Sequence, residues 1–167
     1  MNKGIEIKFA KVHPEAKIPS KRDEDMGYDI YACFDDKEMI IPPFTSKLIP
    51  TGIATACDKE WGIVFRERGS TGVKNLKINA GVIDSGFRGE HFVCLYNGNN
   101  KPMCITKNEM PDGSRANPYM IYYPYSKAIA QMLVLPVPKV TVKEVSYEEL
   151  KSIESERGDG ALGSSNK

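Results

Sequence analysis

Gly81-Val82-Ile83-Asp84-Ser85-Gly86-Phe87-Arg88-Gly89-Glu90 is the stretch on which the reading of this chain turns. An apolar, strand-like run delivers one carboxylate, Asp84, to a tight Ser-Gly turn. An aromatic ring follows three residues later, and Arg88-Gly89-Glu90 opens the return strand. A carboxylate at the tip of such a hairpin is held rigidly and only partly solvated, which suits a general base that activates a water. An Asp before Ser-Gly also commonly accepts backbone N–H bonds in an Asx-turn, and that structural role stays open at this point.

Outward from the hairpin, short runs rich in β-branched and aromatic residues recur between Gly, Pro, Asn and Asp. Residues 5–9 alternate apolar and polar side chains with the period of a half-buried strand. Further strands are expected over 28–33, 39–41, 46–50, 52–56, 62–66, 77–83, 90–96, 103–106, 119–123, 128–137 and 140–145. Strands this short and numerous predict an all-β fold, a sandwich or closed barrel of jelly-roll type. Helical periodicity is confined to a turn or two within 70–76 and a short stretch over 147–152. There is no internal repeat, and residues 1–153 read as one domain. Within it, residues 97–126 contain Asn-Gly-Asn-Asn, Met110-Pro111-Asp112-Gly113-Ser114 and Asn117-Pro118, all turn chemistry. That segment reads as an insertion, an excursion shaped as an extended hairpin. Residues 154–167 are Gly- and Ser-rich without core-forming side chains, and read as a mobile C-terminal arm.

Composition narrows the function. Lys and Arg number 23 against 22 Asp and Glu, so a net charge of +1 makes no case for a nucleic-acid surface. No apolar run is long enough to span a bilayer and no signal-peptide pattern is present, so a cytoplasmic protein is expected. Cys33, Cys57, Cys94 and Cys104 stand far apart with no CxxC pair, and read as buried free thiols. His13 and His91 are too few to build a metal cage, and each reads as an ordinary surface or strand histidine.

Two further segments suit an anionic ligand. Arg68 begins Arg68-Gly69-Ser70-Thr71-Gly72, whose amides are able to face an anion at the start of a short helix. A flexible turn capped by Ser70 is the plainer alternative. Arg157, with Gly158, Gly160, Gly163, Ser164 and Ser165, forms a second such cluster. It reads either as a simple tail or as an arm that orders over a triphosphate.

Five segments stand in a fixed order: Met26-Gly27-Tyr28-Asp29-Ile30, the Arg68 run, the Asp84 hairpin, Ala128-Ile129-Ala130-Gln131-Met132 and the Arg157 tail. In this order they resemble, from end to end, the motifs of the trimeric, all-β dUTP pyrophosphatases (dUTPases), including phage-type members with an insertion between the third and fourth motifs. The resemblance implies a distorted jelly-roll, or β-clip, barrel and hydrolysis of dUTP to dUMP and pyrophosphate. It implies Asp84 as the base for water attack on the α-phosphorus. Arg68, Gly69, Ser70 and Gln131 would lie at the phosphates. Asn79, Gly81, Val82 and Ile83 would line the uracil pocket, and Phe87 would lie against the deoxyribose. Arg157, Leu162, Gly163, Ser164 and Ser165 would close over the nucleotide. Asp29 would meet Mg²⁺ through water, with the ion held mainly by the triphosphate. Each site would draw on all three subunits of a homotrimer.

The sequence departs from that family at several places. Phe87 stands where tyrosine is usual, Met26 for alanine, and Gly69 for a serine hydroxyl. Ala128 replaces an arginine, which leaves a carboxylate partner to be accounted for. Ala161-Leu162 replace Gly-Phe, so a leucine covers the base without π-stacking. Two other functions remain alternatives: a dCTP deaminase of the same superfamily, and a nucleotide-binding regulatory protein that meets a protein partner through residues 97–126.

Overall fold

The computed structural model describes residues 4–160. The chain divides into two units, Met1–Val137 and Pro138–Lys167. Among the described residues the first carries twelve strands. β2 (Tyr28–Ile30), β12 (Ala130–Pro136), β6 (Trp61–Arg66) and β8 (Val82–Ile83) lie side by side in that order in one sheet. A second sheet orders β4 (Ser46–Pro50), β9 (Phe92–Asn97) and β7 (Leu76–Asn79). A third orders β11 (Ile121–Pro124), β10 (Met103–Thr106) and β3 (Glu38–Ile41). β1 (Lys8–Lys11) and β5 (Ile53–Ala56) form a separate pair. The expected all-β, jelly-roll-like class holds, but the sheets stay open. With no continuous ladder running round them, the barrel is not closed.

Alternation along the strands builds the core. Val93 and Leu95 point inward from β9, Ile63 and Phe65 from β6, and Met132 from β12, while their neighbours face outward. Ile41, Ile49, Leu76, Met103 and Ile105 complete one apolar cluster drawn from the three larger sheets. Each such side chain contributes roughly 1.5–3 kcal/mol by leaving water.

Four expectations are corrected. Residues 77–83 do not form one strand. β7 pairs with β9, whereas β8 pairs with β6, and Ala80 between them has φ of 49°. A left-handed backbone cannot continue a pleated strand, so the chain changes sheets there. The return strand accordingly starts at Phe92 rather than at Arg88. Residues 97–126 are no hairpin: β10 and β11 run parallel, Met103 beside Ile121, and β10 also pairs antiparallel with β3. Parallel neighbours require a crossover, supplied here by residues 107–120. Residues 140–145 form no ladder, and Val140 and Val142 are exposed.

In the second unit, α2 (Tyr147–Ser152) is capped by Ser146, whose Oγ accepts the Glu149 N–H at 3.0 Å. Glu148 and Glu149 in its first turn and Lys151 in its last complement the helix dipole.

Candidate active site

A cleft of about 720 Å³ opens where β2, β12 and the end of β6 meet. Asp29, Arg68, Gly69, Ser70 and Gln131 line it, joined by Ser20, Lys21, Arg22, Asp25, Met26 and Gly27. Register explains the convergence, because Gln131 lies beside both Asp29 and Arg66 in the sheet. Gln131 Nε2 donates to the Glu67 carbonyl at 2.6 Å, holding the chain that leads to Arg68. Glu67 pins the same segment from the other side, its carboxylate accepting the Ile78 N–H at 2.9 Å. That bond also holds the Glu67 carboxyl below the usual carboxylate range, keeping it ionised. Gly27 is required here, since any β-carbon would overlap the Gln131 amide.

Arg68 is the hub. Its Nε and Nη2 donate to the two Asp29 carboxylate oxygens at 2.8 and 3.3 Å. Its Nη1 reaches Ser70 Oγ at 3.2 Å and the Ala128 carbonyl at 3.5 Å. No buried side-chain oxygen or nitrogen lacks a partner among the described residues. Asp29, assigned to the metal from sequence, is engaged by Arg68 in a fork geometry. Tyr123, from the insertion, joins the site without having been singled out by sequence. Its buried hydroxyl donates to the Ala128 carbonyl at 2.6 Å, next to Arg68, and burial pushes its phenol up. No local motif announces it, because its role arises from β11 lying parallel to β10.

α1 (Gly69–Gly72) is a single turn, shorter than expected. Arg68 N–H donates to Thr71 Oγ1 at 3.0 Å, so Thr71 rather than Ser70 closes the turn. The Ser70 hydroxyl is left facing Arg68 and the cleft. The Gly69 and Ser70 amides lack intrahelical acceptors by position and are open to an anion.

Asp84 lies elsewhere. It follows β8, whose pairing of Ile83 with Ile63 brings Asp84 level with Gly62. Gln131 and Asp29 of the cleft are level with Arg66, four residues further along β6, a separation of about 13 Å at the rise of a strand. Asp84 is exposed, and its carbonyl accepts the Phe87 N–H at 3.0 Å in the turn. Its carboxylate makes no hydrogen bond to that turn among the described residues, so the Asx-turn reading fails. Gly81 anchors the approach: its carbonyl accepts the Phe65 N–H at 2.7 Å, and a β-carbon there would strike the Phe65 carbonyl. The Asn79 amide is tied to Ser46 Oγ at 2.9 Å, Val82 is exposed, and Ile83 is half-buried against the core. Phe87 is about half exposed (47%). Arg157 turns its Nε onto the Gly160 carbonyl at 2.9 Å. Leu162, Gly163, Ser164 and Ser165 lie outside the described residues.

The pattern of the family described as dUTPase matches residues 14–110, more than half of the chain. The deoxyuridine 5'-triphosphate nucleotidohydrolase of Nautilia profundicola is 32% identical over 167 residues, covering 98% of this chain and 100% of its own. The chain belongs to the dUTPase family. It is an enzyme, a dUTP nucleotidohydrolase. Among solved structures similar to this dUTPase is the Staphylococcus bacteriophage 80alpha dUTPase with dUPNHPP. It has a TM-score of 0.75 at 21% identity, covering 97% of this chain and 99% of its own. A mutant dUTPase from phage phi11 of S. aureus, described with a structural Mg(II) ion, follows with a TM-score of 0.66 at 18% identity. It covers 86% of this chain and 99% of its own. At such identities the likeness speaks for the fold. No helix among the described residues is long and apolar enough to cross a membrane.

Proposed function

We propose that this dUTPase cleaves dUTP to dUMP and pyrophosphate in sites shared between copies of the chain, with Asp84 as general base. The observation that carries the proposal is the separation of Asp84 from the Arg68 cleft. A base and a cleft offset by about 13 Å along one sheet do not meet at the same α-phosphorus within one chain. A hairpin from one subunit set into the cleft of another brings them together. The exposure of Asp84 and Val82 in the isolated chain agrees with this. A homotrimer with the arm of the third subunit is the assembly we propose.

In that site the Asp84 carboxylate accepts a proton from water as its oxygen attacks the α-phosphorus. The bond from that phosphorus to the bridging oxygen breaks, and pyrophosphate leaves. Arg68, the Gly69 and Ser70 amides and the Ser70 hydroxyl take the phosphate oxygens, and Gln131 orients the water-bearing end. Gly81, Val82, Ile83 and the backbone of Asn79 line the base pocket, with Phe87 against the sugar. Arg157, Leu162, Gly163, Ser164 and Ser165 close it. The donor set fits Mg²⁺ only as an ion carried by the triphosphate: no group of three or more His, Cys, Asp or Glu gathers among the described residues. Asp29, its side chain 35% exposed, remains able to accept a hydrogen bond from a water of the ion. Bound there, Mg²⁺ would neutralise charge on the phosphates.

The insertion supports a second, narrower reading. Met103, Cys104, Ile105 and Tyr123 are buried, so its two strands belong to the core. The crossover, with Met110 and Tyr119 exposed, is the part most open to a protein partner. The test of the main proposal is pyrophosphate release from dUTP, dTTP, dCTP and UTP, with and without Mg²⁺. Release from dUTP alone, abolished in Asp84→Asn while nucleotide binding persists, is expected. Turnover by Asp84→Asn would remove the general base, and ammonia release from dCTP would point to the deaminase.

A further inference from the structure

His91 is buried to 2% exposure between the hairpin and β5, although its sequence position suggested an ordinary strand histidine. Its ring lies against Phe87 at 5.9 Å between centroids and 24° between planes, and edge-on to Phe65 at 5.9 Å. Nε2 and Thr55 Oγ1 are 3.2 Å apart. The backbone is equally fixed: the His91 N–H donates to the Ile53 carbonyl at 2.8 Å, and its carbonyl accepts from Thr51 Oγ1 at 2.6 Å. Phe87 also covers Gly89, where a β-carbon would strike the ring. Thus one face of the Phe87 ring rests on an imidazole anchored to β5, while the residue remains about half exposed.

We propose that His91 is a positioning residue for sugar selection: its buried imidazole backs the Phe87 ring and sets how strictly the site rejects a ribose. The inference rests on the reading of Phe87 as the surface that meets the deoxyribose. A ring that rejects a 2′-hydroxyl by contact must not yield, and an aromatic side chain half in solvent holds its place only if something rigid lies behind it.

The backing depends on charge. The groups packed on the imidazole are Thr55 of β5, Phe65 of β6 and Phe87 of the turn, none of them ionisable. The neighbouring Glu90 carboxylate is turned away, accepting the Gly52 N–H at 2.8 Å. Burial alone holds His91 below the ordinary histidine range. The folded protein therefore favours the neutral ring. The contribution is complete above the unfolded value of about 6.5 and is lost as the pH falls below it toward the lower folded value. Protonation places an uncompensated charge under Phe87 and loosens the hairpin.

The experiment compares the dUTP-to-UTP ratio of kcat/KM, and KM for dUTP, from pH 8 to 5 in the native enzyme, His91→Phe and Phe87→Ala. Where the pH falls far enough to protonate the folded ring, below the ordinary histidine range, the native enzyme is expected to lose selectivity and its KM for dUTP to rise. His91→Phe keeps a flat ring without a titrating group, so its ratio stays constant with pH. Protonation of the triphosphate moves KM in both proteins alike and cancels in the comparison. A thermally stable His91→Ala with native selectivity and native KM at pH 8, where the ring is neutral, would overturn the proposal, whereas His91→Phe, which keeps a flat ring behind Phe87, is expected to retain the native ratio there. An unchanged ratio in Phe87→Ala would instead overturn the sugar reading on which it rests.

Discussion

Replacing Tyr123 with phenylalanine removes one oxygen and tests whether the insertion holds the phosphate grip together. The lost bond is the 2.6 Å contact from the Tyr123 hydroxyl to the Ala128 carbonyl. The Ala128 residue is 3% exposed, so its carbonyl has little water to turn to. The remaining donor is Arg68 Nη1 at 3.5 Å. Leaving a buried acceptor so poorly served costs about 1–3 kcal/mol. At about 2–4 °C per kcal/mol for a chain of this size, Tm should fall by roughly 2–12 °C. The guanidinium is then drawn toward Ala128 and away from Ser70, so KM for dUTP rises several-fold while kcat changes little. Thermal unfolding and steady-state pyrophosphate release measure the two effects, with Tyr122→Phe on the same strand as a control. A Tm and KM equal to those of the control would show that the insertion does not support Arg68.

Other consequences follow from the same geometry. Gly81→Ala should preserve the β circular-dichroism spectrum but lower kcat by about a hundredfold, because a shifted β8 misplaces Asp84; native turnover would mean that β8 tolerates the shift. Cys57 and Cys94 should react with a thiol reagent in the native protein. Cys33 and Cys104 should react only on unfolding, burial pushing the Cys104 thiol up to about 11; four fast thiols would contradict this packing. Truncation before Arg157 should cut turnover sharply without lowering Tm, and an unchanged rate would exclude a closing arm.

Much of the fold was legible because alternation in β6, β9 and the first half of β12 is a local property of the chain. What was not legible depends on partners. Residues 77–83 look like one strand by composition, yet the left-handed Ala80 divides them between two sheets, and an alanine carries no turn signal. Turn residues in 97–126 suggested a hairpin, but β10 had already taken β3 as its antiparallel neighbour and left its other edge to β11. Residues 140–145 have strand composition without a neighbouring edge, and composition alone makes no ladder. At the site, Arg68, Ser70 and Gln131 do lie together around one cleft, as their motifs suggested. The commitment of Asp29 to Arg68 was hidden, since the two are 39 residues apart and no local pattern pairs them. Tyr123 was not singled out and His91 read as an ordinary surface or strand histidine, because the contacts each makes are with residues that no local pattern connects to it.

The division of labour between subunits is tested most directly by mixing two inactive proteins, Asp84→Asn and Arg68→Ala, after unfolding and reassembly together. If each site takes its base from one chain and its phosphate grip from another, random assembly leaves about a quarter of the sites with both intact. Pyrophosphate release from dUTP should then return to about that fraction of the native rate. If the base and the grip that serve one nucleotide come from the same chain, every site retains a lesion. No recovery on mixing would contradict the account.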